Sequence, residues 1–241
     1  MNSKRLPGKV LLNIIQKPIL WHIYNRMKHC KNIDQVVIST GDQQNNSEIS
    51  DFAQKYNIPY FIGDEKDLID RLYKTATFFH ASAIVRVTAD CPLIDSILID
   101  TMINQYVAKK DDYDIVRNYG DEVRTFPHGL DTEIFSYASL EKMWHTITSP
   151  DLREWFPLYV KQNPSLFRIL EIKNPKDISS LRLTVDYPED FEFITKIYQK
   201  LYVEDKMFYL DDILNLLEKE PELRKINSKY VGYHNIDAPK I

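Results

Sequence analysis

Residues 83–92, Ala83-Ile84-Val85-Arg86-Val87-Thr88-Ala89-Asp90-Cys91-Pro92, change character part-way along. The first six are apolar or β-branched apart from Arg86, which predicts a buried strand; Asp90-Cys91-Pro92 then breaks it. Upstream, 33–40 (IDQVVIST) reads the same way and is turned by Gly41-Asp42. Shorter extended runs follow at 59–62 and 113–117. Helical spacing separates these strands. Ile19, Leu20, Ile23, Met27 and Cys30 mark a helix over 18–30. Ser47 suits an N-cap for 47–56, Asp67 caps a helix running to 79, and Asp95 caps one over 96–107. Strand alternating with helix is the signature of βαβ units. The expected fold is therefore α/β, a mostly parallel sheet with flanking helices.

The later part is less regular. It reads as extended at 131–135, helical at 136–147 and 150–162, and extended at 167–172 and 181–185. Helices are expected over 187–201, with Pro188 in the first turn, and over 209–217. From Pro221 no period is visible, so 1–220 is read as one domain and 221–241 as a poorly ordered C-terminal tail.

Composition narrows the function classes. The 241 residues are 44% hydrophobic and 27% charged, those of an ordinary globular protein. With 35 acidic against 31 basic residues the net charge is -4, which argues against a general nucleic-acid binder. The longest apolar runs are too short to span a bilayer, so no membrane partner is expected. Cys30 and Cys91 make no disulfide framework, and a reducing, cytoplasmic setting is the expectation. The 6 glycines form neither G-x-G-x-x-G nor a Walker A loop.

Three places could carry chemistry. The first is the opening stretch, Met1-Asn2-Ser3-Lys4-Arg5-Leu6-Pro7-Gly8-Lys9. Lys4, Arg5 and Lys9 surround a Pro-Gly turn that can present N–H groups to an anion, as a polyphosphate requires. The same residues also fit a frayed basic terminus. The second and third are Asp90 and Asp186, just past the strands expected at 83–88 and 181–185, at the rim where parallel α/β sheets bind ligands. Two carboxylates beside a basic loop suit Mg²⁺, which takes one or two carboxylates, waters and phosphate oxygens. Each Asp equally suits an N-cap of the next helix, and both readings stand at this point. Arg86 is either a face-exposed or an active-site cation. Asp131, in the turn Gly129-Leu130-Asp131, is a candidate for a substrate hydroxyl. The histidines show no metal-ligand spacing, and Cys91 has no His at motif distance.

Taken together, Ser3-Lys4-Arg5-Leu6-Pro7-Gly8-Lys9, Arg86-Val87-Thr88-Ala89-Asp90-Cys91-Pro92-Leu93-Ile94-Asp95 and Leu183-Thr184-Val185-Asp186-Tyr187-Pro188-Glu189-Asp190 resemble the cytidylyltransferases of cell-surface sugar synthesis. Within them the chain is similar to the branch called spore coat polysaccharide biosynthesis protein F, a relative of the CMP-KDO and CMP-sialic acid synthetases. Lys17-Pro18-Ile19-Leu20-Trp21-His22 and Phe126-Pro127-His128-Gly129-Leu130-Asp131 match in order and spacing, so the resemblance covers about 2–202. It implies a nucleotidyltransferase domain related to the GT-A glycosyltransferases, converting CTP and a sugar acid to a CMP-sugar and pyrophosphate. Ser3, Arg5, Leu6, Gly8, Lys9 and Arg86 would bind the nucleotide, with Arg5, Lys9 and Asp90 catalytic. Asp90 and Asp186 would hold Mg²⁺, and Asp131 would meet the sugar. A homodimer is implied, with 117–182 the substrate and dimer subregion. The alternatives are a nucleotidyltransferase using another NTP or a sugar phosphate, or a non-catalytic homologue acting as a binding partner.

The resemblance has gaps. Relatives carry an apolar strand before the basic loop, whereas Met1 stands inside that loop. Its absence between the counterparts of 33–40 and 83–88 would open about 9–10 Å of unpaired sheet. The expectation is that Met1 is an internal methionine of a longer product. Arg153-Glu154-Trp155-Phe156-Pro157 lacks a His that relatives have after the Glu, and Ile15-Gln16 stands where relatives have Gly-Gly or Gly.

Overall fold

A computed structural model of the chain describes residues 5–120 and 122–232. After the Pro7-Gly8 turn comes a short 3₁₀ turn, Lys9–Leu11, then the hairpin β1 (Asn13–Ile14) and β2 (Lys17–Pro18). The order continues α1 (Ile19–Met27), β3 (Ile38–Thr40), α2 (Gln43–Lys55), β4 (Tyr60–Ile62), α3 (Leu68–Phe78), β5 (Ala83–Arg86), α4 (Ser96–Lys109) and β6 (Ile115–Arg117). It closes with β7 (Glu133–Ser136), α5 (Tyr137–Thr146), α6 (Pro150–Glu154), α7 (Phe156–Gln162), β8 (Ile169–Glu171), α8 (Pro188–Leu201) and α9 (Leu210–Lys219).

Local signals set the helix ends. Asp67 accepts from Asp70 N at 2.9 Å and Asp95 accepts from Ile97 N and Leu98 N, each satisfying orphan donors of a first turn. Two expected helices differ. α2 starts earlier, capped by Asp42, and Ser47 instead follows a non-helical residue, Asn46. The helix expected over 150–162 breaks at Trp155, because Pro157 has no N–H for the Arg153 carbonyl and its ring crowds that carbonyl.

The sheet is mixed rather than mostly parallel. Its four main strands run in the order β5-β7-β6-β8. β7 is antiparallel to both β5 and β6, while β6 is parallel to β8. So β5, β6 and β8 point one way, as alternating strands and helices require, and β7 is slotted in against them. This reversal brings the start of β7, with Asp131 and Glu133, to the rim where β5 and β6 end. β3 pairs with β4 in a separate parallel ladder, and no ladder joins β3 to β5 among the described residues. Both read in the sequence as buried strands, yet Ile38, Ser39 and all of β5 are only half-buried, whereas β6 is fully buried. Each of the two has a ladder neighbour on one side only.

Residues 181–185 are buried but form no ladder strand, and the chain bends at Thr184. Leu183 N instead donates to His128 O at 2.7 Å and Val185 N to Asp90 O at 2.8 Å, with one bridge between His128 and Arg182. The largest core cluster joins α1, α4, α8 and α9 to this segment through Ile19, Ile99, Leu183, Ile194 and Leu217. Beyond Pro221 the chain to residue 232 packs on the domain. It makes two 3₁₀ turns, and Leu223 and Asn227 are buried, so this part is no loose tail. Among the described residues no helix is long and apolar enough to cross a membrane.

Candidate active site

The loop at the start of the described chain reaches across to the rim of the sheet. Gly8 sits at φ 67°, the left-handed conformation that glycine accepts readily, and Leu11 N closes the turn on Gly8 O at 2.9 Å. That turn aims Lys9 inward. Its Nζ donates to Asp90 Oδ2 at 2.7 Å and to Asp186 Oδ1 at 2.8 Å, so one ammonium joins the two carboxylates. Arg5 adds a longer contact to Asp186 Oδ1 at 3.3 Å and lies over the Tyr187 ring. Leu6 packs against the main core, which anchors the loop. Ser3 lies outside the described residues.

Neither aspartate is a helix cap. Asp95 caps α4, and at α8 the carboxylate of Asp190 accepts from the Asp186 and Tyr187 N–H groups at 3.0 and 3.1 Å. Asp90 and Asp186 are thereby left to face the loop. Thr88 Oγ1 donates to the free oxygen of Asp90 at 2.6 Å, and Arg182 to that of Asp186 at 2.7 Å. Burial by itself raises the pKa of both carboxyls. Lys9 overrides it at Asp90, and Lys9, Arg182 and Arg5 together hold Asp186 well below the usual carboxylate range. Burial likewise opposes the charge on Lys9, but its two carboxylates keep its pKa above the ordinary lysine value. Cys91 is driven the other way, well up, by burial and then Asp90, and stays a protonated thiol.

A second layer surrounds this centre. Arg86 does not join the carboxylate pair; it donates to Glu133, its cross-strand neighbour on β7, and stacks near Phe156. Tyr119 OH donates to the other oxygen of Glu133. Asp131 accepts from Arg124, with His128 Nε2 at 3.7 Å from its second oxygen. Arg182, 2% exposed, links the layers: it donates to Asp186, Asp190 and His128 Nδ1. Sequence reasoning missed Arg182, Asp190, Glu133 and Asn227, which donates to Asp190 at 2.9 Å. The available signal was an arginine, Arg86 or Arg182, on each of two runs read as strands, where a charge that becomes buried needs a carboxylate partner.

Gly129 holds the two halves of the rim together. At φ 109° it lets the backbone approach so closely that an added Cβ would lie 2.2 Å from Leu183 C and 2.4 Å from Thr184 N. Gly129→Ala must push apart the two backbone segments that lead to Asp131 and Asp186. The expected loss is about 1–3 kcal/mol of stability, read as a lower urea midpoint at unchanged m-value.

Among the described residues there is no cluster of three or more His, Cys, Asp or Glu able to hold a metal. What the site offers is a carboxylate pair already sharing one cation. That donor set fits Mg²⁺, which prefers few carboxylates and completes its shell with water and phosphate oxygens, and does not fit a structural Zn²⁺.

A family model described as Cytidylyltransferase matches residues 1–213. The chain belongs to that family. This cytidylyltransferase is 28% identical over 229 residues to the spore coat polysaccharide biosynthesis protein SpsF of Bacillus subtilis, covering 92% of each chain. Among solved structures it resembles a cytidylyltransferase from Leptospira borgpetersenii at TM-score 0.86 and 32% identity, covering 93% of this chain and 92% of that one. A CMP:2-keto-3-deoxy-manno-octonic acid synthetase complexed with CTP shares the fold at TM-score 0.63 and 16% identity, covering 83% and 95%. The α/β nucleotidyltransferase fold expected from the sequence is therefore present, built on a mixed sheet.

Proposed function

We propose that this chain is a Mg²⁺-dependent cytidylyltransferase that joins CMP from CTP to a sugar acid, releasing pyrophosphate, for polysaccharide synthesis in the cytoplasm. The observation that carries the reading is the Lys9 ammonium held between Asp90 and Asp186 at the end of β5. It unites a basic turn with a carboxylate pair, the two things a triphosphate and its cation need. The family membership and the CTP-bound relative of the same fold support it.

In this reading Arg5, Lys9 and the backbone N–H groups of Leu6 and Gly8 take the phosphates, and Ser3, outside the described residues, is assigned to nucleotide binding by the resemblance. Asp90 and Asp186 hold Mg²⁺, which when bound neutralises phosphate charge. Arg86, kept in place by Glu133, faces the nucleotide. Asp131 accepts from a sugar hydroxyl. The attacking sugar oxygen bonds to the α-phosphorus as the bond to the β-phosphate oxygen breaks. Pyrophosphate leaves, and the hydroxyl proton goes to solvent. Such a transfer depends on charge neutralisation and in-line positioning rather than on a protein nucleophile, in keeping with the protonated Cys91. The protein acts as a homodimer through 117–182.

Pyrophosphate release is the test, measured with each of the four NTPs against a panel of sugar acids, neutral sugars and sugar phosphates. The expected result is turnover with CTP and a sugar acid at least tenfold faster than with any other pairing. No release with any NTP, together with no thermal shift on adding CTP, would favour a non-catalytic binding partner.

A further inference from the structure

We propose that Lys9 is the resident occupant of the divalent-cation position in the nucleotide-free protein, and that it leaves this position only when a triphosphate draws it away. The inference rests on the function proposed above and concerns how that same site is regulated. Its basis is geometric. The Nζ lies 2.7 Å from one oxygen of Asp90 and 2.8 Å from one oxygen of Asp186, so the ammonium stands between the two carboxylates that would hold the cation. The Lys9 side chain is only 14% exposed, so water does not readily take over its contacts.

Charge accounting points the same way. The two carboxylates already face two loop cations, Lys9 and Arg5, and the second oxygen of Asp186 is held by Arg182. A free divalent ion approaching this group meets an ammonium in its place and little uncompensated negative charge. A triphosphate changes the balance. It offers Lys9 another set of anionic oxygens of equal or greater attraction. The lysine has a flexible four-carbon stem behind a turn closed by its own backbone bonds, so the side chain can swing from carboxylate to phosphate with the loop fixed. The cation then enters with the nucleotide, and the site holds no metal between turnovers. Loop engagement and metal loading become one event.

Mn²⁺ reports this directly, through loss of the free-ion signal in electron paramagnetic resonance. The proteins are nucleotide-free wild type, Lys9→Met, Lys9→Gln and the double variant Lys9→Met/Asp90→Asn, each checked for a cooperative melt. Two neutral replacements are used so that a folding defect in one does not hide the answer. The expected result is no Mn²⁺ binding by the wild type below millimolar concentrations, at least tenfold tighter binding by either Lys9 variant, and loss of that gain in the double variant. Adding CTP to the wild type should lower the free Mn²⁺ signal beyond the drop that the same CTP causes without protein. Equal Mn²⁺ affinity of wild type and both Lys9 variants without nucleotide overturns the proposal, as does tight binding by nucleotide-free wild type. If the Lys9 variants gain Mn²⁺ but another triphosphate replaces CTP in loading the wild type, the exchange stands and only the choice of nucleotide falls.

Discussion

Asp90→Asn is expected to lower pyrophosphate release by about 10²–10³-fold or more, the range seen when one preorganised electrostatic group is removed from a transition state. The amide keeps the shape of the carboxylate and can still accept from Lys9 Nζ and meet Thr88 Oγ1, so the fold has no reason to change. What disappears is one of two charges at the end of β5. With it goes half of the anionic donor set facing the cation, and Lys9 is left held mainly by Asp186. The change should appear in kcat more than in KM for CTP, because the triphosphate retains Arg5, Lys9 and the Gly8 turn. Steady-state kinetics beside a thermal melt separate the alternatives. A melting temperature within a few degrees of wild type with turnover reduced as stated supports the metal assignment. Turnover that survives the substitution contradicts it, and would leave Asp90 as an anchor for Lys9 alone.

What the sequence revealed of this arrangement follows the range of the forces involved. Asp67, Asp95 and Pro188 were legible as helix starts because a cap is satisfied within four residues. The alternation of strands and helices correctly implied that β5 and β6 run the same way. The insertion of β7 between them was not legible. The run at 131–135 looks extended whichever direction it takes, and its pairing partners are some 18 and 50 positions away in sequence. Residues 181–185 carry an apolar, β-rich pattern, yet they form no strand: the chain bends at Thr184, and the Leu183 and Val185 N–H groups go to carbonyls of a turn and a loop. Periodicity also fails past Pro221, because 3₁₀ turns have no 3.6-residue stripe, and Asn227 went unnoticed there. For the site, Arg5, Lys9, Asp90 and Asp186 converge in the structure as one group. The sequence left the two aspartates suspended between cap and cation site. That choice was made elsewhere in the chain, by Asp95 and Asp190 taking the capping duty.

Arg182→Met carries the largest expected effect on stability. Arg182 is 2% exposed and Asp190 is fully buried. The guanidinium holds Asp190 through Nε at 2.9 Å and Asp186 through Nη2 at 2.7 Å. Methionine fills much of the volume but leaves both carboxylates without this cation. Asp186 can still turn to Lys9 and Arg5. Among the described residues, Asp190 then keeps neutral donors, the Asp186 and Tyr187 N–H groups and Asn227 Nδ2. Removing one partner of a buried ion pair costs about 3–5 kcal/mol, since the remaining charge stays desolvated. Measured against a total of about 5–15 kcal/mol for a typical domain, that loss is a large share of the stability. The pair itself should contribute much less than this figure. Adding Asp190→Asn to Arg182→Met removes the orphaned charge while keeping an acceptor for the α8 N-terminus, and should recover more than half of the loss. Denaturant titrations of the wild type, the two single variants and the double variant close the cycle. A loss below about 1 kcal/mol for Arg182→Met would mean that Asp190 finds solvent or a proton once the arginine is gone. A double variant no more stable than Arg182→Met would place the cost in packing around residue 182 rather than in the buried charge.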